Sequence, residues 1–415
     1  MRRSVAVVVL ALLLSCSWWV IPHFVAKAAS QSLSSRDRIE VFEIVWKTIN
    51  DEYYDPSFNG VDWGAVRKRY RPRVESAKTD AEFHGLVKQM LRELHDLHTG
   101  FAAPDDQRPS NGLSVNEVES RVVVVRVEPE SEAARVGVQA GMIVRTMGGK
   151  PAQERIAQLR AALGHSSSAQ ADRFIIYSSF LNGPISEPLR LGLERADGTQ
   201  FEAVLTRRSG SRPLPKLISQ SLPSGFHYLK INTLRSPVDD QFRSEFANFK
   251  GVPGLIIDLR GITGGDIHDV GLKIANYFFP AKASFGRFIN RSGKTPPFRT
   301  LSAKGGGQIY QGSVVILVDE ATRSAGEVFA KGFQENGRAL IIGQQSCGCV
   351  ADTDSKKVKG GGVLQYSHLG YISGKGHELE GAGVMPDKIV PLMIAALRQG
   401  RDVILEEAEH ILKSP

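Results

Sequence analysis

The chain has 415 residues, of which 42% are hydrophobic and 23% charged, and a formal net charge of +8 at pH 7. These values are typical of a soluble globular protein with two or three domains and an ample core. Three of the positive charges lie near the N-terminus, and the others are scattered with no basic stripe interleaved with aromatic residues, so no nucleic-acid partner is predicted.

Residues 1–28 have the features of an export signal peptide. Arg2-Arg3 precedes an apolar segment from Val5 to Leu14, and Ala26-Lys27-Ala28 fits an A-x-A cleavage site. Polar residues and a proline interrupt the rest of the apolar stretch, which argues against a permanent membrane-spanning helix. Leu13-Leu14-Ser15-Cys16 is also similar to a lipobox, so membrane association through a lipidated Cys16 or an uncleaved leader stays an alternative to cleavage. Cleavage, lipidation and retention of the leader all predict an exported protein of the periplasm or cell envelope.

Residues 33–105 are predicted to form a helical domain, with helices continuing to about Phe101. Its apolar residues recur three and four positions apart, as in Phe83, Leu86, Val87, Met90 and Leu91. Two histidines, His95 and His98, follow the last helical stripe. A histidine in such a loop is normally a surface residue, and His95 is expected to face solvent.

Residues 108–208 are predicted to form a β-rich domain. Gly112-Leu113-Ser114-Val115 precedes a strand at Val122–Val127, and a short helix and a glycine turn, Gly141-Met142-Ile143, follow. This order resembles a PDZ domain, with Met142 in place of the usual aspartate. PDZ domains bind peptide C-termini by strand addition, so the resemblance implies that the backbone of Gly112, Leu113 and Ser114 holds a substrate carboxylate. A PDZ-shaped spacer that binds nothing is the alternative.

Residues 216–395 are predicted to form an α/β domain, followed by a C-terminal helix at 396–415. Two buried strands in it each lead through a turn into a helix. Gly254–Leu259 ends in the glycine turn that contains Gly264 and Gly265, and Ser313–Val318 leads into Thr322-Arg323-Ser324-Ala325-Gly326-Glu327. A serine at the start of a helix lies near unpaired N–H groups and the positive end of the helix dipole, which favours a nucleophile. Helix capping by Ser324 is the alternative.

These two motifs, in this order, resemble the C-terminal processing (tail-specific) peptidases and their relatives, tricorn protease and the interphotoreceptor retinoid-binding repeats. The resemblance extends from about Arg36 to about Leu392, and Gly261-Ile262-Thr263 departs from the usual G-N-P. It implies an α/β core of the crotonase/ClpP-like kind, with an N-terminal helical domain and an inserted PDZ-like β-rich domain. It also implies a serine nucleophile, Ser324, with an oxyanion hole formed by the N–H groups of Ala325 and of Gly264 or Gly265. Neither a cofactor nor a metal is expected.

The general base departs from the classical family pattern. A lysine normally lies 25 residues beyond the serine, but that position is Cys349 in this chain. Lys356, Lys357 and Lys359 lie nearby at the wrong register and are interpreted as a charged surface turn. The tricorn-like branch uses instead a histidine that follows its N-terminal helices, and His98 matches that position. A neutral imidazole is a suitable base near neutral pH, so activity is predicted to rise along a limb at about pH 6–7.5.

A carboxylate should orient the imidazole of His98. The tricorn-like branch uses a glutamate shortly before a G-x-x-P-D motif, which corresponds to Glu380 here. In that branch a serine before the histidine relays to the glutamate, but this position is Leu97. Glu380 could therefore contact His98 directly or through water, or Asp96 could take the role.

The mature chain contains two cysteines, Cys347 and Cys349, two positions apart. They lack the spacing of a zinc site, and a disulfide is geometrically demanding at this separation. Two unpaired, half-buried residues are favoured, although pairing stays possible in an oxidising compartment.

The sequence therefore predicts an exported serine endopeptidase that acts on protein or peptide substrates through Ser324, His98 and Glu380. Two other classes stay open. One is a catalytically inactive peptide-binding protein, which the absence of the usual lysine would favour. The other is a carrier of small apolar ligands, like the retinoid-binding relatives.

Overall fold

The structure is a computed structural model that describes residues 32–104, 106, 109–209 and 214–413. The predicted leader and Cys16 lie outside these residues. Within the described part of the chain, no helix combines the length and the apolar character that crossing a bilayer requires.

Three helices make up the N-terminal part: α1 (Ser35–Glu52), α2 (Trp63–Ser76) and α3 (Asp80–Arg92). The helical prediction was too long at its end, because residues Gly100–Ala102 form strand β1, which pairs antiparallel with the later strand Val363–Ile372. The backbone hydrogen bonds of this pairing, together with the low helix propensity of Gly100, favour a strand over a further helical turn. The loop between α3 and β1 carries His98 and is thereby joined to the C-terminal part of the chain.

Residues 109–209, called the inserted module below, contain a β-sheet and three helices. The sheet strands are β3 (Leu113–Val118), β4 (Arg121–Val127), β5 (Ile143–Met147), β6 (Lys150–Pro151), β7 (Leu189–Glu194) and β8 (Gln200–Leu205), and β2 (Pro109–Ser110) pairs with β9 (Arg208–Ser209). The helices are α4 (Glu132–Arg135), α5 (Ala152–Leu163) and α6 (Ala169–Phe180). Strand β3 is at the edge of the sheet, and Ile176, Tyr177 and Phe180 of α6 belong to the same buried cluster as Leu113 and Val115.

A six-stranded sheet forms the centre of the C-terminal part. Its strand order is β10 (Leu217–Ser221), β11 (His227–Ile231), β12 (Gly254–Asp258), β15 (Ser313–Val318), β16 (Leu340–Gly343) and β19 (Lys388–Ile389), with every pair parallel except the first. Helices α7 (Val238–Phe249), α8 (Leu272–Ala275) and α9 (Ala325–Glu335) share one buried cluster with it. The apolar residues of β12 and β15 are buried because both faces of the parallel sheet are covered.

Adjacent parallel strands end at the same edge of a sheet, and here this geometry positions the candidate site. Ile257 of β12 lies beside Ile316 of β15. The turn that follows β12 therefore meets the turn that follows β15.

A second sheet lies beside this centre. It contains β13 (Ala283–Ile289), β14 (Thr300–Ala303), β17 (Asp352–Lys357) and β18 (Val363–Ile372), together with β1. The C-terminus departs from the single helix expected over 396–415. It has two helices, α10 (Ile394–Arg398) and α11 (Val403–Lys413), because Gly400 adopts a left-handed conformation with φ of +67° that ends the first one.

Candidate active site

Ser324 lies at the sharp turn between β15 and α9, with φ of 57° and ψ of −131°. This conformation is strained for any residue other than glycine, and strained turns of this kind present a nucleophile at the end of a sheet. Its backbone N–H donates to the carbonyl of Cys349 at 2.7 Å and to Oε2 of Glu327 at 3.2 Å. These two hydrogen bonds hold the turn in place.

The glycine turn after β12 packs directly against this serine. A Cβ atom on Gly264 would lie 2.7 Å from Cβ and 3.1 Å from Oγ of Ser324. Gly265, with φ of +144°, packs in the same way against the backbone of Leu234. Among the residues that the structure describes, no hydrogen bond uses the backbone N–H of Gly264, Gly265 or Ala325. The turn and the helix start therefore leave unused donors close to Ser324, as an oxyanion hole requires.

Replacing Gly264 with alanine should lower kcat by roughly 10²-fold or more, the effect typical of losing an oxyanion-hole donor. The new methyl group would collide with Ser324, and a φ of +83° is unfavourable for alanine, so the N–H group would shift. Steady-state kinetics on the folded variant checks this. Gly251→Ala is a matched control because a Cβ at Gly251 meets no atom within 4 Å. Equal kinetics for wild type and Gly264→Ala would contradict the predicted donor.

A cavity of about 450 Å³ opens beside Ser324. Ile267, Phe288 and Val328 contribute apolar surface to it, and Ser324 and Ala325 line it from the helix start. Charged and polar side chains surround the rest of the opening: Arg235, Asp266, His268, Arg299, Asp352, Thr353, Asp354 and His368. This is the size range of clefts that hold a small ligand or part of a peptide.

His98 is half-buried, and its Nδ1 atom is fully buried without a hydrogen-bond partner among the described residues. Burial lowers the pKa of the imidazole, Asp96 and Asp352 oppose this effect, and Arg323 adds to it. These charges place the ring near Arg323, which precedes Ser324 in the chain. In the described part of the chain the ring forms no hydrogen bond to Ser324 or Glu380, so the three predicted residues share a region without a closed hydrogen-bond chain. His95 is exposed, as expected, and Nδ1 donates to the carbonyl of His165 at 2.9 Å.

Glu380 and Asp96 form a pair of neighbouring carboxyl groups. Glu380 accepts hydrogen bonds from the N–H groups of Val350 at 2.7 Å and Ala351 at 3.0 Å. Burial and the nearby charge of Asp96 raise the pKa of Glu380 to about 8. Asp96 accepts from the N–H of His98 at 2.8 Å and from Oγ1 of Thr99 at 2.5 Å, so it holds the loop backbone. Because a nearby like charge disfavours ionisation, the charge of Asp96 opposes the ionisation of Glu380.

Glu327 also belongs to the site, although it was not predicted from the sequence. This carboxyl group is completely buried and accepts from Oγ of Ser346 at 2.6 Å and from the N–H groups of Gly348 at 2.7 Å and Cys349 at 2.9 Å. Burial raises its pKa to about 7 against these favourable hydrogen bonds. Its position three residues after Ser324, typical of a capping box, is the sequence signal that could have identified it.

Cys347 and Cys349 form a disulfide with a Cα–Cα distance of 5.3 Å, and both are fully buried. The favoured interpretation of unpaired, half-buried residues was therefore wrong. Gly348 adopts a left-handed φ of +72°, which lets two residues so close in sequence face each other. Position 349, where the classical lysine would lie, thus holds half of a disulfide.

The nearby lysines point away from this region. Nζ of Lys356 contacts Thr48 at 3.1 Å, and Nζ of Lys359 contacts Asp37 at 2.5 Å, both on α1. Lys357 is exposed on β17. The three lysines lie at the surface as expected, but Lys356 and Lys357 belong to strand β17 and not to a turn.

The predicted carboxylate loop starts the edge strand of the inserted module. Gly112 has φ of +74°, and its carbonyl accepts from the N–H of Glu128 at 2.8 Å. Leu113 is buried, and Ser114 pairs only with β4, since β3 has one neighbour in the sheet. An edge strand of this kind has backbone groups available for an added strand.

Comparison with known proteins identifies the matching families. The model of "Peptidase family S41" matches residues 225–390, and the model of "Tricorn protease C1 domain" matches residues 34–92. The carboxyl-terminal-processing protease of Picosynechococcus sp. is 22% identical over 91% of this chain and 89% of its own length. A putative tricorn protease homolog 2 of Streptomyces coelicolor is also 22% identical, over 90% of this chain and 32% of its own.

The fold is that of solved peptidases. The structure of mature CPAF in complex with lactacystin has a TM-score of 0.72 at 12% identity, covering 91% of this chain and 98% of the other. The photosystem II D1 C-terminal processing protease has a TM-score of 0.58 at 21% identity, covering 91% and 97%.

Proposed function

Because this chain belongs to peptidase family S41 and is a serine-type peptidase, we propose that it is an endopeptidase in which Ser324 is the nucleophile and His98 the general base. The observation that carries this proposal is the strained turn at Ser324 beside a cavity, with Gly264 packed against the serine side chain. Strain at one position that the surrounding contacts enforce is typical of a functional residue.

In this mechanism Oγ of Ser324 attacks the scissile carbonyl carbon while His98 accepts its proton. The N–H groups of Ala325 and of Gly264 or Gly265 hold the oxyanion that forms. His98 then donates the proton to the leaving amine, and a water molecule hydrolyses the acyl-enzyme by the same route. A carboxylate near the ring, from Glu380 or Asp96, stabilises the imidazolium. Substrate binding brings these side chains into hydrogen-bond contact, since catalytic hydrogen bonds often tighten only at that step.

A fluorophosphonate probe tests the proposed chemistry, because it reacts with an activated serine. Labelling of the mature protein at Ser324, located by peptide mass spectrometry, is expected. Absence of labelling in a folded protein would refute the endopeptidase proposal. Binding of an apolar dye without labelling would favour a carrier, and peptide binding without labelling would favour an inactive binding protein.

We further propose that the protein is exported and that the disulfide forms outside the cytoplasm. Disulfides persist in oxidising compartments, and the leader sequence has the pattern of an export signal. This location would expose the enzyme to envelope or secreted proteins as substrates.

The inserted module is proposed to bind substrate tails as a PDZ-like domain. A peptide would add a strand beside β3, with its C-terminal carboxylate on the backbone N–H groups of Gly112, Leu113 and Ser114. The availability of the β3 edge and the glycine at the start of the strand support this arrangement.

A peptide with a free C-terminal carboxylate should be cleaved about tenfold more efficiently than the same peptide with a C-terminal amide, the effect of about 1.4 kcal/mol of binding energy. The difference is expected in KM if the module only delivers substrate, and in kcat if it also gates the site. Kinetics on several acid and amide pairs measures this. Indistinguishable values for all pairs would make the module a spacer.

A further inference from the structure

The connector between α5 and α6 of the inserted module, residues 164–168, contacts both halves of the candidate site. On one side the carbonyl of His165 accepts from the ring of His95, in the loop that also carries His98. On the other side Oγ of Ser168 donates to the carbonyl of Cys347, in the segment that holds the backbone of Ser324. The connector therefore joins the loop that carries His98, the proposed base, to the segment that holds Ser324, the proposed nucleophile.

Ser167 occupies the centre of this bridge. Its Oγ atom accepts from the N–H of Leu97 at 3.1 Å, one residue before His98. The Ser167 hydroxyl has a single hydrogen to donate. Because this hydroxyl is the acceptor in the bond from Leu97, its hydrogen stays available for another acceptor. Glu380 is the neighbouring acceptor, since the Ser167 hydroxyl favours ionisation of its carboxyl group and so opposes the burial that raises its pKa.

The backbone of Ser167 is equally close to the glutamate. A Cβ atom on Gly381, the residue after Glu380, would lie 3.2 Å from the carbonyl oxygen of Ser167. The main chain of Ser167 therefore lies beside the Glu380 segment. The connector is also fixed at its other end, since the N–H of Ser166 donates to Oδ1 of Asp172 on α6 at 2.6 Å.

The helix that follows adds further contacts to the same region. The ring of Phe174 on α6 stacks under the guanidinium of Arg323, 4.6 Å from the ring centre, next to Ser324. Ala171 packs against the Cys347–Cys349 disulfide, with Leu97 beside them. These contacts restrict the freedom of the connector relative to the candidate catalytic residues.

We propose that Ser167 is a positioning residue that links the His98 loop to Glu380 and so fixes the carboxyl pair relative to the imidazole. The inference rests on the proposed function, because positioning matters only if His98 acts as the base. It also assigns the inserted module a structural part in the active site, separate from any binding of substrate tails. The groups that face Glu380 and Asp96, and that would respond to a change at Ser167, are the N–H groups of Val350 and Ala351 and the side chains of Thr99, Tyr53 and Tyr54.

Replacing Ser167 with alanine should lower kcat by about tenfold, the loss expected for one hydrogen bond to a charged group, while KM changes by less than about twofold. Without this link the carboxyl pair is no longer held beside the ring, so the imidazolium is less stabilised and the acid limb of the pH–rate profile should move to lower pH. Ser167→Thr keeps the hydroxyl and should restore kcat and the limb. Ser166→Ala is the matched control, because its hydrogen bond to Asp172 uses only the backbone.

The labelling rate with a fluorophosphonate separates the two proposals. If wild type is labelled at Ser324 and folded Ser167→Ala is labelled at the same rate, with an unchanged limb, the positioning role is wrong and the proposed function stands. If Ser166→Ala loses as much kcat as Ser167→Ala, or Ser167→Thr gives no recovery, the effect is structural and the positioning role is again wrong. If wild type itself is not labelled, the proposed function fails.

Discussion

Ser324→Ala should reduce peptide cleavage by at least about 10⁴-fold in kcat, the scale seen when a catalytic nucleophile is removed from a serine protease. The substitution deletes only Oγ and keeps the Cβ atom that contacts Gly264. Alanine experiences about the same backbone strain as serine at this position, so the melting temperature should change little. Kinetics with a fluorogenic peptide and a thermal melt measure both quantities.

Ser178→Ala is a suitable control for this experiment. Ser178 is exposed on α6 and its Oγ donates only to the carbonyl of Ile175 within its own helix. Full activity is expected for this variant. Retention of more than a few per cent of wild-type activity in purified Ser324→Ala would remove Ser324 from the mechanism.

His98→Ala should lower kcat by about 10⁴-fold as well, since an unassisted serine hydroxyl is a weak nucleophile. The base acts in its neutral form, so activity is present above the pKa of His98 and is lost as the pH falls through it. Burial lowers this pKa, so the limb should lie below the usual histidine value near 6.5, toward the acid end of the range expected from sequence alone. Steady-state kinetics measured from about pH 4.5 to about pH 8 should locate this limb.

Two sets of variants assign that limb. Alanine at Lys356, Lys357 or Lys359 should be nearly silent, because Lys356 and Lys359 contact α1 and Lys357 is exposed. Inactive lysine variants together with an active His98→Ala would instead establish a displaced serine–lysine dyad. Glu327 titrates near 7 beside Ser324, so a limb that disappears in Glu327→Gln belongs to the glutamate.

Local sequence patterns were sufficient for much of this protein. Strands Gly254–Asp258 and Ser313–Val318 were predictable because burial on both faces of a sheet requires a continuous apolar run. The helix that begins at Ala325 was predictable because its apolar residues have helical spacing and a serine precedes them. The α/β fold and the resemblance to the peptidase family are confirmed by the comparisons. The roles of Ser324, His98 and Glu380 stay predictions.

Contacts between residues distant in sequence could not be predicted in the same way. The bond between Leu97 and Ser167 joins residues 70 positions apart, and Ser168 meets Cys347 across 179 positions. No local sequence pattern predicts either contact, because a serine before a helix is normally explained by helix capping alone. The Cys347–Cys349 disulfide depended on the conformation of Gly348, which spacing does not reveal.

At Ser324, the residue proposed to be needed for turnover lowers the stability of the fold, because its backbone is strained. A residue other than glycine in such a conformation costs the fold on the order of 1–3 kcal/mol, and glycine would avoid most of this cost. Selection for thermal resistance alone would therefore enrich glycine at this position and remove the hydroxyl group. Directed evolution from this scaffold would need to screen for turnover in every round, because its most heat-resistant descendants would be inert.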